Sequence, residues 1–178
     1  AMKIIMRNNI FGWGVLYFLQ LLGTAMGTSA AVMWATLYFG YHETHRLEPT
    51  YRPQLVYYKR FVDDIFLAWD NDGDGSRWTA FQVDLNNFGI LTWEIGELLT
   101  TVNFLDLTIT IRNGKLEMKT FQKAMNLYLY LPPTSAHPTH CIKGTVYGLI
   151  RRYHVQNTYR EDYVDFVVLL YPRLIARG

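Results

Sequence analysis

The chain has 178 residues, of which 50% are hydrophobic, 16% aromatic and 18% charged, a composition that can bury a core and excludes a disordered tail. Its 17 Lys and Arg against 15 Asp and Glu leave a formal charge of +2, which excludes a uniformly basic nucleic-acid coat, so a charged partner has to be met by a local patch. The single cysteine, Cys141, excludes an internal disulfide and makes a reducing, intracellular setting the default.

From Asn8 to Tyr41 there is no Asp, Glu, Lys, Arg or His, and the stretch is long enough to cross a bilayer. It carries Gly23-x-x-x-Gly27, the small-residue spacing that lets membrane helices approach, so a transmembrane segment over 8–41 is the competing reading. Against it stand Gly12, Gly14, Gly23, Gly27 and Gly40, the polar Gln20, Thr24, Thr28 and Ser29, and the lack of a basic n-region with a small-residue cleavage pattern. The stretch divides better into apolar runs at 10–13 and 16–21 around Gly14, a hairpin, then a polar glycine-containing corner and a helix. Thr28 and Ser29 are placed to cap that helix, and Ala31, Ala35, Thr36 and Gly40 give it a small-residue side beside Met33, Leu37 and Tyr41. No membrane partner is expected.

After a connection through Pro49 and Pro53, residues 55–69 form a strongly apolar, aromatic run interrupted by Lys59, Arg60, Asp63 and Asp64. The acidic stretch 70–75 is a surface turn, and Trp78, Phe81, Leu85 and Phe88 at helical spacing predict a helix over 77–88 that packs on a sheet. Residues 102–111 and 116–121 read as two strands joined by Asn113-Gly114, whose residues tolerate the positive φ of a tight hairpin. Pro132, Pro133 and Pro138 end that region. Helices are predicted over 145–156 and 159–176, the second with a Thr158-x-x-Glu161 capping box. Dividing the charges at Ser135 leaves −1 before it and +3 after it, so the C-terminal helical part is the basic part.

Phe61-Val-Asp-Asp-Ile-Phe66 places two adjacent carboxylates inside an apolar strand, where desolvation costs several kcal/mol unless they are paired or bound to metal. Strand alternation sends neighbouring side chains to opposite faces, whereas a tight bend lets both approach one cation cluster. An ion pair with Lys59 or Arg60 at a sheet edge is the other reading, and the residues alone leave both open. Three further patterns read as structural. Asp70-x-Asp72-x-Asp74-Gly75 opens like a calcium loop but has Phe81 where a bidentate glutamate is needed. His137, His140 and Cys141 lack a fourth zinc ligand at finger-like spacing. Asp106, opposite Leu105, Leu107 and Ile109 by alternation, falls on a solvent face.

Tyr58-Lys-Arg-Phe-Val-Asp-Asp-Ile-Phe66 resembles the metal-binding hairpin of reverse transcriptases, an aromatic residue, any residue, then two aspartates. Gln20-Leu-Leu-Gly-Thr-Ala-Met-Gly-Thr28, with the small-residue helix to Glu43, looks like the preceding motif of the same palm. Val102-Asn-Phe-Leu-Asp-Leu-Thr108 with the Asn113-Gly114 turn, then Phe121-Gln-Lys123 and Ser135-Ala-His-Pro138, follow in the order found in the reverse transcriptases of Penelope-like retroelements. The resemblance covers nearly the whole chain. It implies an α+β fold, a polymerase palm with an antiparallel sheet and packed helices over 1–135, followed by a small helical thumb over 136–178.

The activity it implies is RNA-directed DNA synthesis, with two divalent ions, Mg2+ or Mn2+, activating the primer hydroxyl and stabilising the transition state. In the intact family Asp63 becomes the principal metal ligand and Asp64 its neighbour, whereas the isolated chain, with one carboxylate of the set absent, is expected to hold magnesium poorly and to leave the site empty. Gln20, Gly23, Thr24, Ala25, Met26 and Gly27 border the incoming nucleotide and templating base. Phe121, Gln122 and Lys123 border the primer end, and Lys143, Arg151 and Arg152 touch the nucleic-acid backbone. RNA template and DNA primer are then the partners, and a nuclear location follows for a functional retroelement enzyme. The family also has a metal-binding aspartate upstream of the glutamine-glycine motif, yet no Asp or Glu precedes Glu43. The fingers and first palm strand are therefore expected to be missing, and no primer extension is expected of the isolated chain unless a partner chain or larger assembly supplies the missing carboxylate. The alternative is a domesticated, inactive structural subunit or nucleic-acid-binding module. Ala30-Ala31, where relatives often carry proline, is a smaller departure.

Overall fold

A computed structural model describes residues 2–25, 27–71, 73 and 75–178. Met26, expected at the nucleotide surface, and Asp72 and Asp74 of the acidic turn lie outside the described residues. The fold is α+β, built from helices and small antiparallel sheets, and the chain divides into two compact units, residues 1–96 and 97–178.

In residues 1–96 a short helix α1 (Met2–Arg7) precedes the hairpin β1 (Ile10–Trp13) and β2 (Leu16–Leu19), with Gly14 supplying the positive φ of its turn. Helix α2 (Ala31–His42) follows, so the uncharged stretch is a hairpin, a corner and a helix of 12 residues. Among the described residues no helix is long and apolar enough to cross a membrane. The expected cap does not form at α2. Thr28 Oγ1 donates to the Ala25 carbonyl at 3.1 Å, while its own carbonyl accepts from the Ala31 amide at 3.1 Å, so the hydroxyl tightens the corner rather than capping the helix.

A π-helical turn (Glu43–Leu47) and a one-turn helix α3 (Glu48–Tyr51) continue from α2, keeping His42, Leu47 and Tyr51 buried together. Strands β3 (Leu55–Phe61) and β4 (Asp64–Trp69) form the central hairpin, and α4 (Ser76–Leu85) packs on it as predicted, but it ends at Leu85, so Phe88 lies beyond the helix. Phe39, Leu47, Tyr51, Phe81 and Leu85 are the buried centre, with Leu55, Tyr58, Ile65, Leu67, Trp69 and Trp78 packed around them. Asp84 fastens α4 to the π turn and α3: it accepts from Tyr51 Oη at 2.8 Å, pairs with Arg46 at 3.0 Å, and its carbonyl meets His42 Nε2 at 2.7 Å. Burial opposes ionisation of Asp84, but the bonds from Tyr51 and Arg46 outweigh it and hold the carboxyl below its usual range.

Residues 97–178 begin with a three-stranded meander, β5 (Thr101–Phe104), β6 (Leu107–Arg112) and β7 (Lys115–Thr120). The Asn113-Gly114 turn joins β6 to β7 as predicted, with both residues at positive φ. Residues 102–111 are not one strand. Leu105, at φ 54°, and Asp106 turn the chain between Phe104 and Leu107, so Asp106 belongs to a bend and not to a solvent-facing strand row. Helix α5 (Thr139–Gln156) starts directly after Pro138 and not at Thr145, and α6 (Arg160–Ile175) follows it. The Thr158-x-x-Glu161 capping box does not form, because Thr158 Oγ1 accepts from the Met118 amide of β7 at 2.8 Å. Tyr153, Phe166 and Leu170 make the buried centre of this unit, and Asn157 ties the α5–α6 junction to β7 through Thr120.

Candidate functional site

Asp63 and Asp64 sit where β3 turns into β4. Phe61 pairs with Asp64 across the hairpin, leaving Val62 and Asp63 as a two-residue loop. Val62 lies at φ 55°, a conformation that a β-branched side chain adopts only under strain, of the kind found at functional loops. Both carboxylates are exposed, so the desolvation cost anticipated for an intrastrand pair does not arise. Among the described residues neither has an ion-pair partner, and the alternative pairing with Lys59 or Arg60 is not made.

Arg60 is engaged elsewhere. Its Nε and Nη2 donate to Glu43 Oε1 and Oε2 at 2.7 and 2.8 Å, a bidentate pair closed by Tyr58 Oη on Oε1 at 2.6 Å. From the same guanidinium Nη2 reaches the Thr36 carbonyl of α2 at 2.9 Å and Nη1 the Val62 carbonyl at 3.0 Å. The Arg60 side chain is 5% exposed and that of Glu43 13%. Burial and the bond to Glu43 push the Tyr58 phenol far above its ordinary range, so it stays a donor. The clamp therefore holds the loop that carries Asp63 against the helix preceding it, leaving the carboxylates free. Replacing Val62 by glycine is expected to raise the melting temperature, because a non-glycine residue in the left-handed region costs about 1–2 kcal/mol and the half-buried Val62 side chain recovers only part of this. Thermal unfolding of Val62→Gly checks it, and a lowered midpoint contradicts it.

Gln20, Ala25 and Gly27 line one cavity of roughly 400 Å³ together with Asn8, Asn9, Phe11 and Thr28. Gly23, at φ 80°, lies beside Gln20, whose Nε2 would be 3.3 Å from a Cβ there and which donates to the Leu22 carbonyl at 2.8 Å. Thr24 is half-buried in the same corner. Asp63 and Asp64 do not line this cavity.

In the other unit, Phe121, Gln122, Lys123 and Arg152 line a cavity of roughly 520 Å³ with Asp106, Tyr128, Tyr130 and Tyr153. Arg152 is ion-paired with Asp106, and the Phe121 amide donates to the Asp106 carbonyl at 2.7 Å, so the Leu105–Asp106 bend is fastened to β7 and α5. Lys143 and Arg151 lie outside that cavity, exposed on α5, with the 69%-exposed Tyr147 midway between them at helical spacing. Residues 97–178 carry 10 Lys and Arg against 6 Asp and Glu, whereas residues 1–96 carry 7 against 9.

Sequence reasoning missed the roles of Glu43 and Asp106. A local signal for the second exists: Phe104-Leu105-Asp106 repeats the aromatic-aliphatic-aspartate order of Phe61-Val62-Asp63, and both make two-residue loops with positive φ on the aliphatic residue. His137 Nδ1 is hydrogen-bonded to Ser135 Oγ at 2.6 Å within the loop that precedes α5. Among the described residues there is no group of three or more His, Cys, Asp or Glu disposed to hold a metal ion. Asp63 and Asp64 are hard oxygen donors of the type that Mg2+ and Mn2+ take. Comparison with protein families, with curated proteins and with solved structures gives no match to this chain.

Proposed function

We propose that the chain is a palm-and-thumb portion of a reverse transcriptase of the Penelope-like type, which binds an RNA template paired to a DNA primer. The observation that carries this reading is the β3–β4 bend, where an aromatic-x-Asp-Asp sequence sits on a strained two-residue loop with both carboxylates exposed and unpaired. Asp63 and Asp64 would hold a divalent ion, which when bound supplies a Lewis acid for phosphoryl transfer. Arg60, Glu43 and Tyr58 fix the loop. Gln20, Gly23 and Gly27 leave a polar, side-chain-poor corner suited to a base and sugar, where the missing Cβ atoms permit close approach. Phe121, Gln122 and Lys123 border the primer end, and the exposed Lys143 and Arg151 of α5 neutralise backbone phosphates.

Two carboxylates are too few for two ions, so catalysis would need a further oxygen ligand from outside these residues, on the same polypeptide or on a partner. The β1–β2 hairpin supports that reading: it is a two-stranded sheet, all of its residues are exposed, and its edges accept a further strand. The same count of carboxylates favours, as a second reading, a domesticated module that binds nucleic acid without catalysis.

The test combines hybrid binding with primer extension. The chain alone is expected to bind an RNA–DNA hybrid in a salt-dependent manner and not to extend the primer with Mg2+ or Mn2+. Extension is expected once a protein bearing the upstream aspartate strand is added. Replacing Lys143 and Arg151 by alanine is expected to reduce the slope of log affinity against log salt by about 2, one for each phosphate that is no longer neutralised. No binding at low salt overturns the proposal, and binding that no partner converts to extension favours the non-catalytic module.

A further inference from the structure

A half-buried cation without an acid partner lies in residues 97–178. Arg173 of α6 lays its guanidinium over the Tyr128 ring at 3.6 Å and donates from Nη2 to Gln122 Oε1 at 2.9 Å. Arginine only donates, so this bond sets the Gln122 amide with its oxygen towards Arg173 and its Nε2 turned away. Arg173 Nη1 and Gln122 Nε2 are buried and, the Tyr130 phenol beside the guanidinium apart, meet no acceptor. Among the described residues no carboxylate pairs with Arg173. Buried donors left unmet, one of them on a charged group, carry a desolvation cost that a bound oxyanion would offset.

The cavity of roughly 520 Å³ is lined by Gln122, Tyr128 and Tyr130, and Arg173 lies behind that wall, against Gln122 and the Tyr128 ring. Asp106 is the acid in its lining and is taken by Arg152, which leaves Lys123 as the lining's cation in excess, with Arg173 behind Gln122 as a second. Two uncompensated positive charges exceed what one carboxylate needs and match a phosphate dianion. A guanidinium held flat by an aromatic ring, beside a fixed carboxamide N–H, offers preorganised donors of the kind that grip tetrahedral oxyanions.

We infer that Gln122 and Arg173 form a binding site for a phosphate-type oxyanion, entered through the cavity bordered by Lys123. The site lies wholly within residues 97–178 and does not depend on Asp63 being a metal ligand. Free inorganic phosphate and a nucleic-acid phosphate present the same oxygens to it.

Thermal unfolding of the full chain, with inorganic phosphate titrated against chloride at constant ionic strength, reads the site, because an anion bound only by the folded chain raises the melting temperature. A saturable rise is expected for the wild type. The apparent phosphate affinity is expected to fall about tenfold or more in Gln122→Leu and in Arg173→Lys, the latter keeping the charge but not the planar fork. Saturable broadening of the phosphate phosphorus resonance by the wild-type chain is a second readout that needs no variant. Displacement of that phosphate by a terminally phosphorylated DNA oligonucleotide assigns the anion to nucleic acid, and its retention beside a saturating oligonucleotide assigns it to free phosphate. A response equal to that of chloride, or one unchanged in both variants, overturns the inference.

Discussion

Replacing Arg60 by methionine is expected to destabilise residues 1–96 by about 3–5 kcal/mol, the cost of breaking a buried ion pair from one side. Glu43 would be left 13% exposed with Tyr58 as its remaining donor, while the Val62 and Thr36 carbonyls each lose a bond. Glu43→Gln is expected to cost less, since the amide oxygen still accepts from Arg60, although the charge on the guanidinium is no longer matched. The double variant is expected to lose less than the sum of the two, because each single change leaves a charge that the other removes. Denaturant unfolding of the four proteins measures this coupling. Additive losses, or a loss below about 1 kcal/mol for Arg60→Met of the size seen for surface pairs, would contradict the clamp.

Phe81→Ala should produce an effect of similar size from a different cause. Phe81 is 0% exposed and packs against Tyr51 edge-on at 5.2 Å, Trp69 at 5.1 Å and Trp78 at 5.6 Å between ring centroids. Truncation removes the transfer energy of the ring and leaves a cavity among rigid aromatic side chains that collapse poorly, a loss of about 3–5 kcal/mol. Phe81→Leu keeps most of the volume and should cost roughly half as much. The clamp and the aromatic centre meet in Tyr58, which packs on this core and donates to Glu43. Loosening either should therefore make the Val62–Asp63 loop exchange its amide hydrogens faster.

The elements that declare themselves in the sequence are those whose local chemistry agrees with their tertiary setting. Gly14 and Asn113-Gly114 are turn residues in turns, and Trp78, Phe81 and Leu85 keep helical spacing on a helix that buries the last two and half-buries the first. Where the two disagree, the sequence misleads. Leu105 is not a turn residue, so 102–111 reads as one strand, and the bend depends on bonds made far along the chain, from the Phe121 amide and from Arg152 to Asp106. Val62–Asp63 has the same character, and nothing in its periodicity marks a bend. Thr158 matches a capping box, but β7 offers its hydroxyl a better partner. The carboxylate pair at 63 and 64 is visible in the sequence, whereas Glu43 is not: it lies 17 residues from Arg60, a distance to which no helix or strand spacing rule applies.

The central claim, that the Asp63 loop is a metal site serving nucleic-acid chemistry, is met most directly by Mn2+-induced broadening of amide resonances in the chain bound to an RNA–DNA primer hybrid. Broadening centred on Val62, Asp63 and Asp64, stronger with the hybrid present than without it and lost in Asp63→Asn, is the expected result, since an ion with few protein ligands takes the rest from phosphate and water. Broadening that ignores the hybrid, centres on other carboxylates or persists unchanged in Asp63→Asn would show that these two aspartates hold no ion for that purpose.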